Sequence, residues 1–101
     1  MIFENEIKDD LENIKYYSIR KYLLDSYFKE FANNDISALT QKYNKAMESA
    51  PIKLYHLYVL RYLKDYTLED VANEMGFTHT TIHSMHQSLI QWLSNNIKKD
   101  N

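Results

Sequence analysis

Three histidines lie close together near the C-terminal end of this chain, in the stretch THTTIHSMHQSLIQWL. His79, His83 and His86 are four and three residues apart, so on a helix their imidazoles would lie on one side. At this spacing a helix can present paired ligands to a metal ion. The stretch contains no Asp, Glu or Cys that would complete such a site. The sequence therefore predicts neither a metal site nor a cofactor.

Two other roles remain open for these histidines. Protonation as the pH falls from about 7.5 to 6 would make this side of the helix cationic and tighten its contact with phosphate. Alternatively, His83 is a neutral hydrogen-bonding group and His86 lies at the border of the core. The fourth histidine, His56, is expected on the surface of a helix or at its boundary.

The stretch has the periodicity of an amphipathic helix that begins near Thr78. Its apolar residues recur every three or four positions, at Ile82, Met85, Leu89 and Leu93. On a wheel of about 100° per residue, the opposite side holds Thr80, Ser84, Gln87 and Gln91, with His79, Thr81 and His83 beside them. Such side chains can read base edges, because Gln bonds adenine bidentately and Ser and Thr donate or accept hydrogen bonds.

A second, shorter helix is predicted directly before this one. Thr67 and Asp70 have the spacing of an N-terminal capping box, although Asp replaces the usual Glu or Gln. The apolar stripe of this helix consists of Leu68, Val71, Ala72 and Met75. Gly76 stands where the chain leaves the helix, a position that commonly needs a positive φ, and Thr78 is a suitable N-cap for the helix that follows.

The pair of helices, TLEDVANEMGFTHTTIHSMHQSLIQWL, resembles the helix-turn-helix of region 4 of bacterial sigma factors. It is also similar to the C-terminal domain of phage late-gene transcriptional regulators of the ArpU and RinA type. Together with the preceding segment APIKLYHLYVLRYLKDY, the resemblance covers about half of the chain. The turn and the apolar stripe are typical of the fold, whereas they do not identify the DNA sequence that is bound.

The resemblance implies that the second helix enters the major groove and that its early exposed residues contact base edges. Carried over by position, the reading residues are His79, Thr80, Thr81, His83, Ser84 and Gln87. The sequence departs from the sigma pattern, which usually places arginines on that side. Neutralisation of phosphate is therefore expected from other residues, together with the N-terminal ends of the helices. The expected phosphate contacts are Thr67, Thr78, Lys53, Lys64 and Lys98, with Lys99 beside them.

The first half of the chain carries no recognisable motif. A helix is predicted from about Glu4 to Phe31, with one apolar stripe at Ile7, Leu11 and Ile14, for which core packing and an oligomer contact both remain open. A second stripe, expected to face the core, consists of Tyr16, Ile19, Leu23, Tyr27 and Phe31. A turn at 33–35 precedes a second helix, and Pro51 suits the first turn of a third. Residues 1–48 are interpreted as a helical segment for dimerisation or partner contact, and residues 49–101 as the DNA-binding domain.

Aromatic residues of the C-terminal half are expected to pack in or beside the core. Four tyrosines of the third helix or its end would bury their rings while their hydroxyls stay wet, or would face a nucleic acid backbone instead. They are Tyr55, Tyr58, Tyr62 and Tyr66. Ile90 and Trp92 are expected to pack on the first or second helix, and a dimer contact at Trp92 remains open.

Composition narrows the class of protein. With one Gly and one Pro in 101 residues, an all-α fold of about five helices is predicted. Cysteine is absent and no apolar run approaches the roughly 20 residues that span a bilayer, so a cytoplasmic protein without a membrane partner is expected. No arrangement of nucleophile and base and no Gly-rich loop indicates an enzyme.

The expected function is thus a phage or mobile-element regulator of transcription that binds double-stranded DNA as a homodimer, with RNA polymerase as a further possible partner. The formal charge of −2 is unusual for a DNA-binding domain. The alternative is a module that keeps the helix-turn-helix scaffold but binds RNA polymerase, a sigma factor or a repressor without reading bases.

Overall fold

The structure is a computed structural model that describes residues 2–24 and 34–97, with side chains described for 2–18 and 38–97. The described residues form five helices and no strand, which confirms the all-α prediction. The helices are α1 (Glu4–Leu24), α2 (Asn34–Met47), α3 (Ile52–Tyr58), α4 (Leu68–Met75) and α5 (His79–Asn96). No helix among the described residues is long and apolar enough to cross a membrane.

Helix α1 packs its first apolar stripe into the core of the same chain. Ile7, Leu11 and Ile14 are all 0% exposed, and α1 contacts both α5 and the segment that follows α3. Of the two alternatives for this stripe, the structure therefore shows core packing within the chain and not an oligomer contact. The prediction of a core-facing second stripe is wrong at Tyr16, which is 58% exposed.

The reason lies in the helical repeat. Tyr16 follows Leu11 by five residues and is therefore rotated about 140° from it around the axis of α1. With Leu11 buried, Tyr16 turns to solvent, where Lys15 Nζ lies 5.9 Å from the centre of its ring. The other members of the predicted stripe, Ile19, Leu23, Tyr27 and Phe31, lie outside the described side chains.

Helix α3 begins after Pro51, which is its N-cap, and continues into a π-helical turn over Val59–Leu63. The amide of Lys64 closes this turn by donating to the carbonyl of Val59 at 2.9 Å. The wider turn was not predicted from the sequence, because the spacing of apolar residues does not distinguish it from a regular helical turn.

The predicted burial of the tyrosine rings is confirmed for Tyr58 and Tyr62, whereas their hydroxyls, expected to face water, are hydrogen-bonded to side chains of α2 and α5. Tyr58 is 1% exposed and donates its hydroxyl hydrogen to Asn44 Oδ1 on α2 at 2.6 Å. Tyr62 is 3% exposed and its hydroxyl is hydrogen-bonded to His86 on α5. These tyrosines therefore tie the segment 52–63 to two other helices through the polar ends of buried rings.

The backbone around the α4–α5 connection follows the sequence closely. Thr67 Oγ1 accepts from the amide of Asp70 at 3.1 Å, and Thr78 Oγ1 accepts from the amide of Thr81 at 3.2 Å, as expected for two N-caps. Gly76 has φ 73° and ψ 31°, the left-handed conformation predicted for it. The amide of Phe77 then donates to the carbonyl of Ala72 at 2.9 Å, so the chain turns within three residues.

Replacement of Gly76 tests this connection. Gly76→Ala is expected to lower the free energy of unfolding by about 1 kcal/mol, because residues with a Cβ are strained at positive φ. A Cβ built at Gly76 meets no heavy atom within 4 Å, so the loss should come from backbone strain and not from a clash. Urea denaturation measures the loss, and Gly76→Asn should show a smaller one, since Asn tolerates this conformation. Equal stability of the wild type and the Ala variant would contradict the left-handed assignment.

Candidate nucleic-acid interface

The six residues predicted to read bases all lie exposed on one side of α5, which we call the polar face. It consists of His79, Thr80, Thr81, His83, Ser84 and Gln87. The described part of the N-terminal half does not cover this face. The polar side chains are therefore brought together on an open surface.

Burial of the opposite side of α5 determines how the polar face is presented. Ile82, Leu89 and Leu93 are 0% exposed and Ile90 is 1% exposed, all in the core that α5 shares with α1 and α3. Met85, predicted to point inward, is half-buried against the same core. A helix whose apolar side is held by several other helices cannot rotate without exposing it, so the polar face is held in one orientation.

The C-terminal part of α5 is held by a contact that the sequence did not reveal. The amide of Ile2 donates to the carbonyl of Ser94 at 3.2 Å, and the hydroxyl of Ser94 donates to the carbonyl of Ile2. The side chains of Ile2 and Ile97 are buried in the core, and Trp92 packs half-buried against the same core. Contacts across more than ninety residues leave no local pattern, so sequence reasoning had no signal for them.

The free hydrogen-bonding groups of the polar face lie in its middle. The side chains of Thr80, Ser84 and Gln87 make no hydrogen bond to any other described residue. Thr81 is partly engaged, because its hydroxyl accepts from the hydroxyl of Thr78 at 2.9 Å. Unpaired donors and acceptors on an exposed helix surface are able to bond base edges, provided that the helix can enter a groove.

Two lysines predicted to contact phosphate are exposed in the structure. Lys53 lies near the connection between α4 and α5, with its Nζ 5.4 Å from the centre of the Phe77 ring. Lys64 lies at the end of the π-helical turn that follows α3. Thr67 and Thr78 are exposed, but their hydroxyls already serve as N-caps. Lys98 and Lys99 lie outside the described residues.

The exposed carboxylates of α4 disfavour the approach of phosphate to that helix, whereas the start of α5 carries none. Glu69 and Asp70 occupy the first turn of α4, and Glu74 follows in its last turn, all exposed. Carboxylates in the first turn offset the partial positive charge of a helix N-terminus, so α4 offers little attraction for phosphate there. The first turn of α5 has no acidic residue, and its N-terminus remains available. Of the two helix ends expected to attract phosphate, only that of α5 suits the role.

His86 belongs to the core border and not to the polar face. Its imidazole is half-buried, hydrogen-bonded to the hydroxyl of Tyr62 and stacked on the Tyr62 ring at a centroid distance of 5.9 Å. Burial, followed by the charge of Arg61, lowers the pKa of His86 to about 4, while burial raises the pKa of Tyr62 to about 12. Both groups are therefore neutral at physiological pH, and His86 adds no charge to the polar face.

No family model, no curated protein and no solved structure matches this chain. What the protein does is therefore argued from its own residues and their geometry.

The lowered pKa of His86 predicts how stability depends on pH. Between pH 6.5, the ordinary pKa of a histidine, and about pH 4, the unfolded chain binds a proton at His86 that the folded chain excludes. The contribution of the neutral imidazole to the free energy of unfolding is therefore fully present above pH 6.5 and decreases as the pH falls through this window. Between pH 7 and 5.5 the loss should reach at most about 1 kcal/mol, because the imidazole keeps partial contact with water. Urea denaturation at both pH values measures it.

Two variants separate His86 from the other titrating groups. His86→Gln removes the imidazole and should reduce the difference in stability between pH 7 and 5.5. His56→Gln, at an exposed position on α3, should leave that difference unchanged. The same pH difference in the wild type and the His86 variant would show that another group is responsible.

Proposed function

We propose that this chain is a sequence-specific DNA-binding regulator of transcription that places the polar face of α5 in the major groove. The observation that supports the proposal best is the exposure of all six residues of that face. It is joined by the resemblance of residues 67–93 to the helix-turn-helix of sigma region 4 and of phage late-gene regulators. The proposed setting is the cytoplasm, on phage or mobile-element DNA.

The dimensions of α5 suit this role. A helix with its side chains is about 10–12 Å wide, and the major groove of B-form DNA is about 12 Å wide. Thr80, Ser84 and Gln87 have unpaired hydrogen-bonding groups toward the first half of the helix, which is the part that approaches base edges in helix-turn-helix proteins. Gln87 can bond adenine bidentately, while Ser84 and Thr80 add single hydrogen bonds.

Attraction to the DNA backbone is weak in this arrangement. Lys53 and Lys64, with Lys98 outside the described residues, provide two or three phosphate contacts for each chain. The logarithm of the binding constant should then change with the logarithm of salt concentration by only about −2 to −3 per chain. Useful affinity therefore requires two chains on half-sites about one helical turn apart, or a joint contact with RNA polymerase. We include a homodimer in the proposal for this reason.

Substitution on the polar face tests base readout. Gln87→Ala is expected to weaken binding to a selected DNA site by about 5- to 150-fold, since a bidentate contact contributes roughly 1–3 kcal/mol of discrimination. Ser84→Ala should cause a smaller loss, because it removes one hydrogen bond. The site would first be selected from random or genomic fragments, and affinities would then be measured by mobility shift.

The matched control is Gln41→Ala, which removes an exposed glutamine from α2. It should leave the affinity for the selected site unchanged. Failure to select any sequence, or equal losses for Gln87→Ala and Gln41→Ala, would contradict readout by α5.

A second candidate function is supported by the charge of the helix pair. Between residues 66 and 97 there is no Lys or Arg, while Glu69, Asp70 and Glu74 lie exposed on α4. A surface with this charge is complementary to a basic protein surface and is repelled by phosphate. The corresponding function is a protein-interaction module that binds a basic patch of RNA polymerase, a sigma factor or a repressor.

Neutralisation of α4 distinguishes the two functions. Under DNA binding, Glu69→Gln with Glu74→Gln should raise DNA affinity several-fold, because repulsion from the backbone is removed. Under protein binding, the same change should weaken the complex with the basic partner and should lower its association rate most at low salt. Mobility shift and surface plasmon resonance provide the two readouts, and Glu48→Gln, at the exposed residue that follows α2, is the control.

A further inference from the structure

Two histidines of the polar face lie close enough to act together. His79 and His83 are one turn apart on α5, and their Nε2 atoms are 3.3 Å from each other. Their rings are inclined by 68° with centroids 4.5 Å apart, so the two nitrogens approach more closely than the rings do. Both side chains are exposed, and the only described polar partner of each imidazole is the other.

The distance between the nitrogens suits shared coordination of one ion. Zinc–imidazole bonds are about 2.0–2.1 Å long, and at a tetrahedral angle two such bonds place their nitrogens about 3.3–3.4 Å apart. The observed 3.3 Å falls in this range. As a hydrogen bond it is longer than the usual range of about 2.7–3.2 Å for N–H donors, so an ion that enters the pair displaces only a weak contact.

We infer that His79 and His83 form a bidentate site for a divalent transition-metal ion of the Zn²⁺, Ni²⁺ or Cu²⁺ class, whose other coordination positions are filled by water. Imidazole nitrogen is a preferred ligand of these ions, whereas Mg²⁺ and Ca²⁺ prefer oxygen. Each neutral imidazole provides the lone pair of Nε2, and its proton remains on Nδ1. The described residues contain no group of three or more His, Cys, Asp or Glu side chains able to hold a metal, so the protein provides two ligands.

The electrostatic surroundings favour a cation at this place. Glu69 lines the same surface cleft as His79, at the start of α5, and its carboxylate attracts positive charge. The partial positive charge of the α5 N-terminus opposes binding only weakly, because it acts at a helix end that is exposed to water. The spacing of His79 and His83 in the sequence already suggested paired ligands, although no third ligand accompanied them. The structure adds the short distance between their nitrogens.

The metal site also bears on the proposed function, and its expected effect on DNA affinity rests on that function. A bound ion would add two positive charges to a face that has no Lys or Arg, and the water-filled positions would point outward. Phosphate oxygens or base nitrogens could replace those waters. Occupancy is therefore expected to raise DNA affinity by strengthening the weakest part of the interface.

Calorimetric titration of the full chain with ZnCl₂, NiCl₂, CuCl₂ and MgCl₂, without DNA, tests the site. One ion per chain is expected, with Cu²⁺ bound more tightly than Ni²⁺ or Zn²⁺ and with no binding of Mg²⁺. His79→Gln and His83→Gln should each weaken Zn²⁺ binding by at least tenfold, while His56→Gln, at an exposed histidine on α3, should not change it. Far-UV circular dichroism confirms that each variant remains helical.

A change of register provides a control of identical composition. His83→Ser combined with Ser84→His keeps both imidazoles exposed on α5 but moves the second one about 100° around the helix. Zn²⁺ binding should fall as far as in the single variants. Wild-type affinity in this variant, or an equal effect of His56→Gln and His83→Gln, would overturn the inference.

A second arm separates this inference from the proposed function. In mobility shifts on the selected DNA site, Zn²⁺ should raise the affinity of the wild type severalfold and should not affect the variant His79→Gln with His83→Gln. Metal binding without any DNA binding would support the site and contradict the proposed function. DNA binding without metal binding would support the proposed function and contradict the metal site. If both DNA and metal bind but Zn²⁺ leaves the DNA affinity unchanged or lowers it, only the link between metal occupancy and DNA affinity is overturned.

Discussion

Burial of the apolar side of α5 is the constraint on which the rest of the structure depends. Ile82, Leu89 and Leu93 are fully removed from solvent, and the four other helices contribute to the core that surrounds them. Burial of each such side chain stabilises the fold by about 1.5–3 kcal/mol, so a rotation of α5 that exposed them would lose several of these contributions at once. Because the helix cannot rotate, its polar side must face outward, and the hydrogen-bonding groups of Thr80, Ser84 and Gln87 remain available.

The N-terminal half is part of this arrangement and not an appendage to it. Ile7, Leu11 and Ile14 fill the core beside the segment that follows α3, and Tyr43 on α2 donates its hydroxyl hydrogen to Asp10 Oδ2 at 2.7 Å. Burial and the neighbouring Asp10 carboxylate raise the pKa of Tyr43, which keeps this phenol protonated. A functional division at residue 48 stays a prediction, but the two parts are joined by one core.

The polar face combines an accessible shape with an unfavourable charge. Its shape suits a groove, and its side chains offer donors and acceptors, yet α4 beside it carries exposed carboxylates at Glu69, Asp70 and Glu74. Electrostatic attraction ordinarily provides most non-specific affinity for DNA, so a face of this kind would depend on hydrogen bonds, on a second chain or on added positive charge. In the metal site that we infer, an ion held by His79 and His83 would add such charge to the face.

Local features of the C-terminal half were determined by the sequence itself. The caps at Thr67 and Thr78 and the left-handed Gly76 follow from side-chain chemistry within a few residues, so the α4–α5 connection could be predicted residue by residue. The spacing of apolar residues in α5 also predicted which side would be open, because that spacing maps directly onto the helix surface.

Only the tertiary structure decided which stripe of α1 enters the core and how close the His79 and His83 nitrogens lie. It also decided two long-range hydrogen bonds, between His86 and Tyr62 and between Ile2 and Ser94. The stripe depends on which helix packs against it, and the two long-range contacts join residues that are far apart in the chain. The distance between the histidine nitrogens depends on side-chain rotamers, which sequence spacing leaves open. Helical periodicity limits where a side chain lies, but the packing of distant segments determines its neighbours.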